Sequence, residues 1–305
     1  MAVHWRYCAS ESSMAWLTEP LQYAFFVRGL LVGALLGVTC GALGCFVVLR
    51  GMAFIGDAMA HSVLPGVVIA YLLGVNIIAG AFVTGLLAAI LISAISRTEQ
   101  VHEDTAIGIV FTGAFALAIV LISRTQGYVR DLTHFLFGNI LGVAPSDLII
   151  ALLVTVIVLE AIFLWYRELL ISSFDRTHAQ VIGLRLPWLH MGLMALLALT
   201  IVSGIQAVGV VLIASLLVTP AATARLLTDR LNVMIVLAAL LGSGATLIGL
   251  YASYYVRVAS GGAVVLTSTL CFLLVLIFAP GKGVLARRSR QATNRHFSSG
   301  VETRG

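Results

Sequence analysis

Asp57 and His61 stand four residues apart in FIGDAMAHSVLPGVVIAYLLG, a stretch from Phe54 to Gly74 that is otherwise apolar enough to sit in lipid. On a helix this spacing puts both side chains on one face, with Cβ atoms about 6 Å apart. An ionisable group inside a membrane span is costly unless it is paired or hydrated, so such a pair points to function. Carboxylate oxygen and imidazole nitrogen both bind first-row divalent cations. Two ligands are few for tight binding, which suits a site that must also let its ion go. The spacing is equally compatible with a proton relay, or with a hydrogen bond that only fixes the helix. Pro65-Gly66 follows directly. Proline removes a backbone donor and tends to kink a helix, and broken helices often line substrate paths in transporters.

Other residues carry weaker signals. Glu160 falls in an apolar segment, as an interior polar contact or a pathway group, and His134 in a short apolar run, Arg130 to Pro145. His102, Glu103 and Asp104 read as ordinary acids and caps at a helix start, as does Asp147 after Pro145-Ser146. Cys8, Cys40, Cys45 and Cys271 form no CxxC, and are expected to be small hydrophobes rather than a disulfide framework or thiolate site. Neither HExxH nor GxxxxGK[ST] occurs. The first absence argues against an intramembrane metalloenzyme. The second means that any ATP-driven work needs another chain.

The elements that must position these groups are membrane helices. The 305 residues are 60% apolar and only 10% charged, with mean hydropathy +1.07, whereas soluble domains are about 25% charged. The expected fold is all-α, a polytopic bundle of eight or nine spans. Candidate spans are 29–49, 53–74, 77–95, 105–123, 147–166, 188–204, 207–224, 232–252 and 261–280. Arg130 to Pro145 is too short to span and reads as a re-entrant or interfacial helix. Gly33, Gly37 and Gly41 repeat every four residues, the spacing that lets membrane helices approach closely. The N-terminal segment, 1–21, lacks the order of a signal peptide and reads as a tail before the first span.

Charge sets the orientation. With nine spans and a cytoplasmic C-terminal tail, 13 of the 18 basic residues lie on the cytoplasmic side and 5 on the other, as the positive-inside rule requires. The net charge of +5 fits anionic lipid or an acidic partner surface. No basic stripe with interleaved aromatics suggests nucleic acid. The largest polar insert, Arg167 to Pro187, holds a possible helix start at Phe174-Asp175 and a short helix over 177–182 closed by Gly183. It is either a lever for a partner or a solvated connector.

Five stretches in order, VLRGMAFIGDAMAHSVLPGVVIAYLLG (48–74), EDTAIGIVFTGAFALAIVLIS (103–123), DLTHFLFGNILGV (131–143), SFDRTHAQVIGL (173–184) and QAVGVVLIASLLVTPAATARLLTDRL (206–231), resemble the permease subunits of bacterial ABC importers for manganese, zinc and iron. The likeness runs from about 22 to 281. It implies a type II importer-like permease domain over 22–281, a coupling loop at about 167–187 and a basic cytoplasmic tail over 282–305, in the bacterial plasma membrane. It also implies a homodimer, two cytoplasmic ATPase subunits and an extracytoplasmic metal-binding protein. Asp57 and His61 match the family's pathway pair and would touch Mn²⁺, Zn²⁺ or Fe²⁺ in transit, manganese being favoured, with no permanently bound cofactor. The helix at about 173–184, with Phe174, Asp175, Ala179 and Gly183, would couple to the ATPase. Val218 to Leu227 also matches, as helix packing near the pathway. The alternative is a stand-alone proton-coupled metal transporter using Asp57–His61 as its relay.

Overall fold

The structure, a computed structural model, describes residues 18–52, 54–96, 101–123, 140–174 and 176–279. Among them, nine helices are long and apolar enough to cross a membrane. The secondary structure is α1 (Ala24–Leu49), α2 (Ile55–Ser62), α3 (Leu64–Leu73), α4 (Ile77–Ile95), α5 (Glu103–Ser123), α6 (Pro145–Leu164), α7 (Tyr166–Phe174), α8 (Arg176–Val181), α9 (Leu186–Val208), α10 (Val210–Leu227), α11 (Leu231–Val256) and α12 (Ser260–Phe278). Helices α2 and α3 share one broken span. His134, most of the 130–145 segment, Cys8 and the tail beyond 279 lie outside the described residues.

Span ends differ from the sequence expectation by a turn or so. Helix α1 starts at Ala24 rather than after Arg28. Arg28 sits in its first turns and donates from Nε to the Ala24 carbonyl at 3.2 Å. A cation near a helix end can extend to the interface, so it does not have to stop the helix.

Helix α1 is the axis of the bundle and lies along α10 and α11. Its glycine row meets the α11 row Ala238, Gly242 and Thr246 in antiparallel order: Gly33 faces Thr246, Gly37 faces Gly242 and Gly41 faces Ala238. Gly44 lies against the carbonyl of Leu217 and the side chain of Ala221 in α10, so the Val218–Leu227 stretch packs on α1 at Ala221. On the other side, Thr39 and Thr155 join α1 to α6 by a buried 2.9 Å bond between hydroxyls. Each hydroxyl also reaches a carbonyl four residues back, in Leu35 or Ala151, so neither is left bare in an apolar interior. Helices α1, α2–α3 and α9 are mostly buried, while α5 and α12 turn most of their apolar surface outward.

The end of α1, the start of α5, the α7–α8 segment and the start of α9 share one end of the bundle. Arg50, Ser93, Ser96, residues 101–104, 172–174, Gln180, Leu186, Pro187 and His190 surround one cavity there. The Tyr166 hydroxyl donates to Asn232, which brings the start of α11 to the same end. At the other end Phe26 packs edge-on against Tyr251 and Tyr254, with centroids 5.2 and 5.7 Å apart. Aromatic rings of this kind favour a membrane–water interface.

Candidate metal pathway and coupling elements

The break between α2 and α3 comes just after His61. Val63, at φ −78° and ψ −22°, joins the two helices, and Pro65 lies in the first turn of α3. The Val63 N–H reaches only two residues back, to the His61 carbonyl. The Val63 carbonyl accepts from Gly66 and Val67 and from the Thr84 hydroxyl of α4 at 3.2 Å. The proline thus starts a new helix, and Thr84 supports the joint from outside.

Asp57 and His61 do share a face, one turn before the joint. His61 Nδ1 lies 2.9 Å from the backbone carbonyl of Asp57 and 3.5 Å from Asp57 Oδ1. A carbonyl can only accept, so Nδ1 carries a proton, and in the neutral ring the lone pair is on Nε2. One ring nitrogen held by an oxygen and the other left to ligate is the arrangement usual in metal-binding histidines. The ring stands edge-on to Phe111 and Phe115 of α5, both centroids at 5.5 Å. His61 is 18% exposed, whereas Asp57 is 54% exposed. The histidine is therefore held from three sides, and the carboxylate is open. Gly56, beside Asp57, lets α2 press on Leu217 of α10.

Among the described residues no group of three or more His, Cys, Asp and Glu side chains gathers as a metal shell. At this pair the described residues offer the carboxylate and imidazole alone. Glu160 is exposed on α6, four residues before the helix ends at Leu164, so it is not an interior contact. Asp147 has the expected end role and accepts from the Ala144 N–H at 2.9 Å. Cys40 and Cys45 are buried free thiols within α1.

The 167–187 insert is helical. Phe174 ends α7 and is 57% exposed, Asp175 lies outside the described residues, and Ala179 of α8 is fully buried. Gly183 has φ +79°. Its N–H reaches the Gln180 carbonyl and the Leu184 N–H reaches that of Ala179, both at 3.0 Å. This is the left-handed stop for which glycine is suited. Val181, Ile182 and Trp188 stand exposed alongside.

Sequence reading missed a polar cluster at this end. Glu103, taken there as a plain first-turn acid, places Oε1 3.4 Å from His190 Nδ1 of α9. Arg50 places Nη1 3.5 Å from the same nitrogen and donates from Nη2 to Ser172 at 2.9 Å. His190 had no local pattern to mark it, because its partners are far away in the chain.

Residues 22–279 match the sequence profile of the ABC 3 transport family. The chain belongs to that family. It is 46% identical over 281 residues to the manganese transport system membrane protein MntC of Halalkalibacterium halodurans, covering 92% of this chain and 96% of that one. It is 37% identical over 277 residues to the chelated iron transport system membrane protein YfeD of Yersinia pestis, covering 91% and 93%. The structure of PsaBC from Streptococcus pneumoniae in complex with Fab superposes with TM-score 0.79 at 40% identity, covering 90% of this chain and 98% of that one. The fold is therefore that of an ABC transporter membrane permease, and ATP hydrolysis resides in a separate subunit. Membership sets aside the stand-alone proton-coupled transporter and the intramembrane metalloenzyme.

Proposed function

We propose that this permease carries a divalent transition metal, manganese or iron, inward across a bacterial plasma membrane, and that Asp57 and His61 touch the ion in passage. The observation that carries this reading is the orientation of His61. Its Nδ1–H is committed to the Asp57 carbonyl, so Nε2 and the open carboxylate are the groups left for a cation. Mn²⁺ and Fe²⁺ accept such mixed oxygen and nitrogen sets. Relatives named for manganese at 46% identity and for iron at 37% support manganese first.

The pair does not complete a shell by itself. A second copy of the permease, facing this open side of α2 and α5, would supply further ligands. The end that holds Arg50, α7 and α8 faces the cytoplasm and receives the ATPase at the exposed Phe174 and Gly183, while the buried Ala179 seats α8 against the bundle. The aromatic end receives an extracytoplasmic binding protein. Alternating access then exposes Asp57 and His61 to each side in turn, and the joint at Val63 lets α2 move relative to α3.

The test is cellular metal content by mass spectrometry, with permease, ATPase and binding protein co-expressed and membrane abundance matched. Wild type should accumulate manganese or iron, and Asp57→Ala and His61→Ala should not. Import at the wild-type level by both variants would refute metal contact at this pair.

A further inference from the structure

The end of α1, α7 and the starts of α5 and α9 are tied together at the cavity of about 910 Å³ at the Arg50 end. Arg50 follows α1 and precedes the metal pair by seven residues. Its guanidinium donates to Ser172 of α7 at 2.9 Å and lies 3.5 Å from Ser173. Both serines send their own protons back to the Leu169 carbonyl, so their lone pairs are what Arg50 meets. The same guanidinium lies 3.5 Å from His190 Nδ1 at the start of α9, and that nitrogen lies 3.4 Å from Glu103 Oε1 at the start of α5. His190 and Glu103 are 15% and 16% exposed.

One nitrogen cannot both accept from Arg50 and donate to Glu103. With its proton on Nδ1, His190 serves Glu103. With its lone pair there, it serves Arg50. Both distances are at the long limit of hydrogen bonding, so Nδ1 lies within reach of two partners and can serve only one at a time. The adjoining cavity leaves space for α7 and α8 to shift. Discrete alternatives of this kind carry a movement between sites.

The far end of the connection is the metal pair itself. Helix α5 starts at Glu103 and presents Phe111 and Phe115 to His61, roughly 12 and 18 Å further along the same helix at 1.5 Å per residue. We infer that Glu103, His190 and Arg50 form a relay that passes movement of α7–α8 into α5, and so into the aromatic wall of the Asp57–His61 pair. They are positioning residues that touch no metal. The inference rests on the proposed function above, in which α7–α8 receives the ATPase.

The relay predicts uncoupling rather than inactivity. Permease, ATPase and binding protein are reconstituted in vesicles, and Mn²⁺ uptake and ATP hydrolysis are measured on the same sample. Glu103→Gln and His190→Asn should each lower Mn²⁺ moved per ATP hydrolysed by about tenfold, with hydrolysis retained. The double variant should be no worse than the more severe single one, because the residues act as one unit. An unchanged ratio overturns the relay, and so does a parallel loss of uptake and hydrolysis, which marks a cluster that only holds the fold. Equilibrium Mn²⁺ binding to wild type and His61→Ala is measured separately. If binding does not depend on His61, the metal-pair reading fails, while the ratio still decides the relay.

Discussion

Gly37 of α1 and Gly242 of α11 meet backbone to backbone: a Cβ on Gly37 would fall 2.7 Å from the Gly242 carbonyl carbon and from the Ser243 nitrogen. No side-chain rotation relieves a contact with backbone, so the two helix axes would have to separate. Gly37→Val is expected to cost roughly 1–3 kcal/mol or more and to lower the yield of monodisperse permease. Size-exclusion chromatography after heating in detergent checks this. Gly244→Ala, at a position where an added Cβ meets nothing within 4 Å, should behave as wild type.

Pro65 starts α3 and so holds the break one turn after His61. Pro65→Ala restores a backbone donor at that point and favours a continuous helix. The permease should stay folded, since helix propensity improves. Metal uptake should fall, by roughly tenfold or more if the pair is displaced by about an ångström. Uptake at matched abundance is the readout, and wild-type uptake would show that the break is not required.

The edge-on contacts of Phe111 and Phe115 with His61 hold the ring in place beside Asp57. Replacing both with Leu keeps the apolar bulk and removes the aromatic geometry. The edge-on contribution is about 0.5–1.5 kcal/mol per pair, so with both pairs lost Mn²⁺ affinity should weaken by roughly five-fold or more, up to about a hundredfold. Titration of purified protein with Mn²⁺ measures it, and a residual affinity like that of His61→Ala would show that the ring has lost its orientation altogether.

Val181 and Ile182 are exposed apolar residues beside the Gly183 stop. Exposed apolar groups flanked by polar chain often mark partner sites. Val181→Glu with Ile182→Glu should leave the membrane bundle intact and weaken ATPase association by roughly thirtyfold, the scale of an interface hot spot. Co-purification of the ATPase with tagged permease tests this. Full recovery of the partner would move the docking surface elsewhere.

Much of this was legible before the fold. All nine spans follow from the length and hydropathy of single segments, and the helix break follows from Pro65. The Asp57–His61 pair is visible because one helical turn separates its members. The left-handed stop after α8 follows from Gly183 for the same reason. What was missed is the partner of Glu103. Its position at a helix start explained it well enough alone, so nothing in the local pattern called for His190.

The sequence by itself determined the membrane class, a bundle of eight or nine spans, the i to i+4 pair and the small-residue row of α1. Each depends on neighbours within a turn or two, or on a 20-residue average, and local physics is sufficient for it. Tertiary structure decided which rings hold His61. It decided that the Gly33–Gly41 row meets α11, and that Arg50 and His190, 140 residues apart, share one cluster. Those facts depend on which helix lies beside which. In lipid, apolar helices are distinguished less by hydrophobicity than by the shape of their packed faces, and that shape exists only once the helices are together.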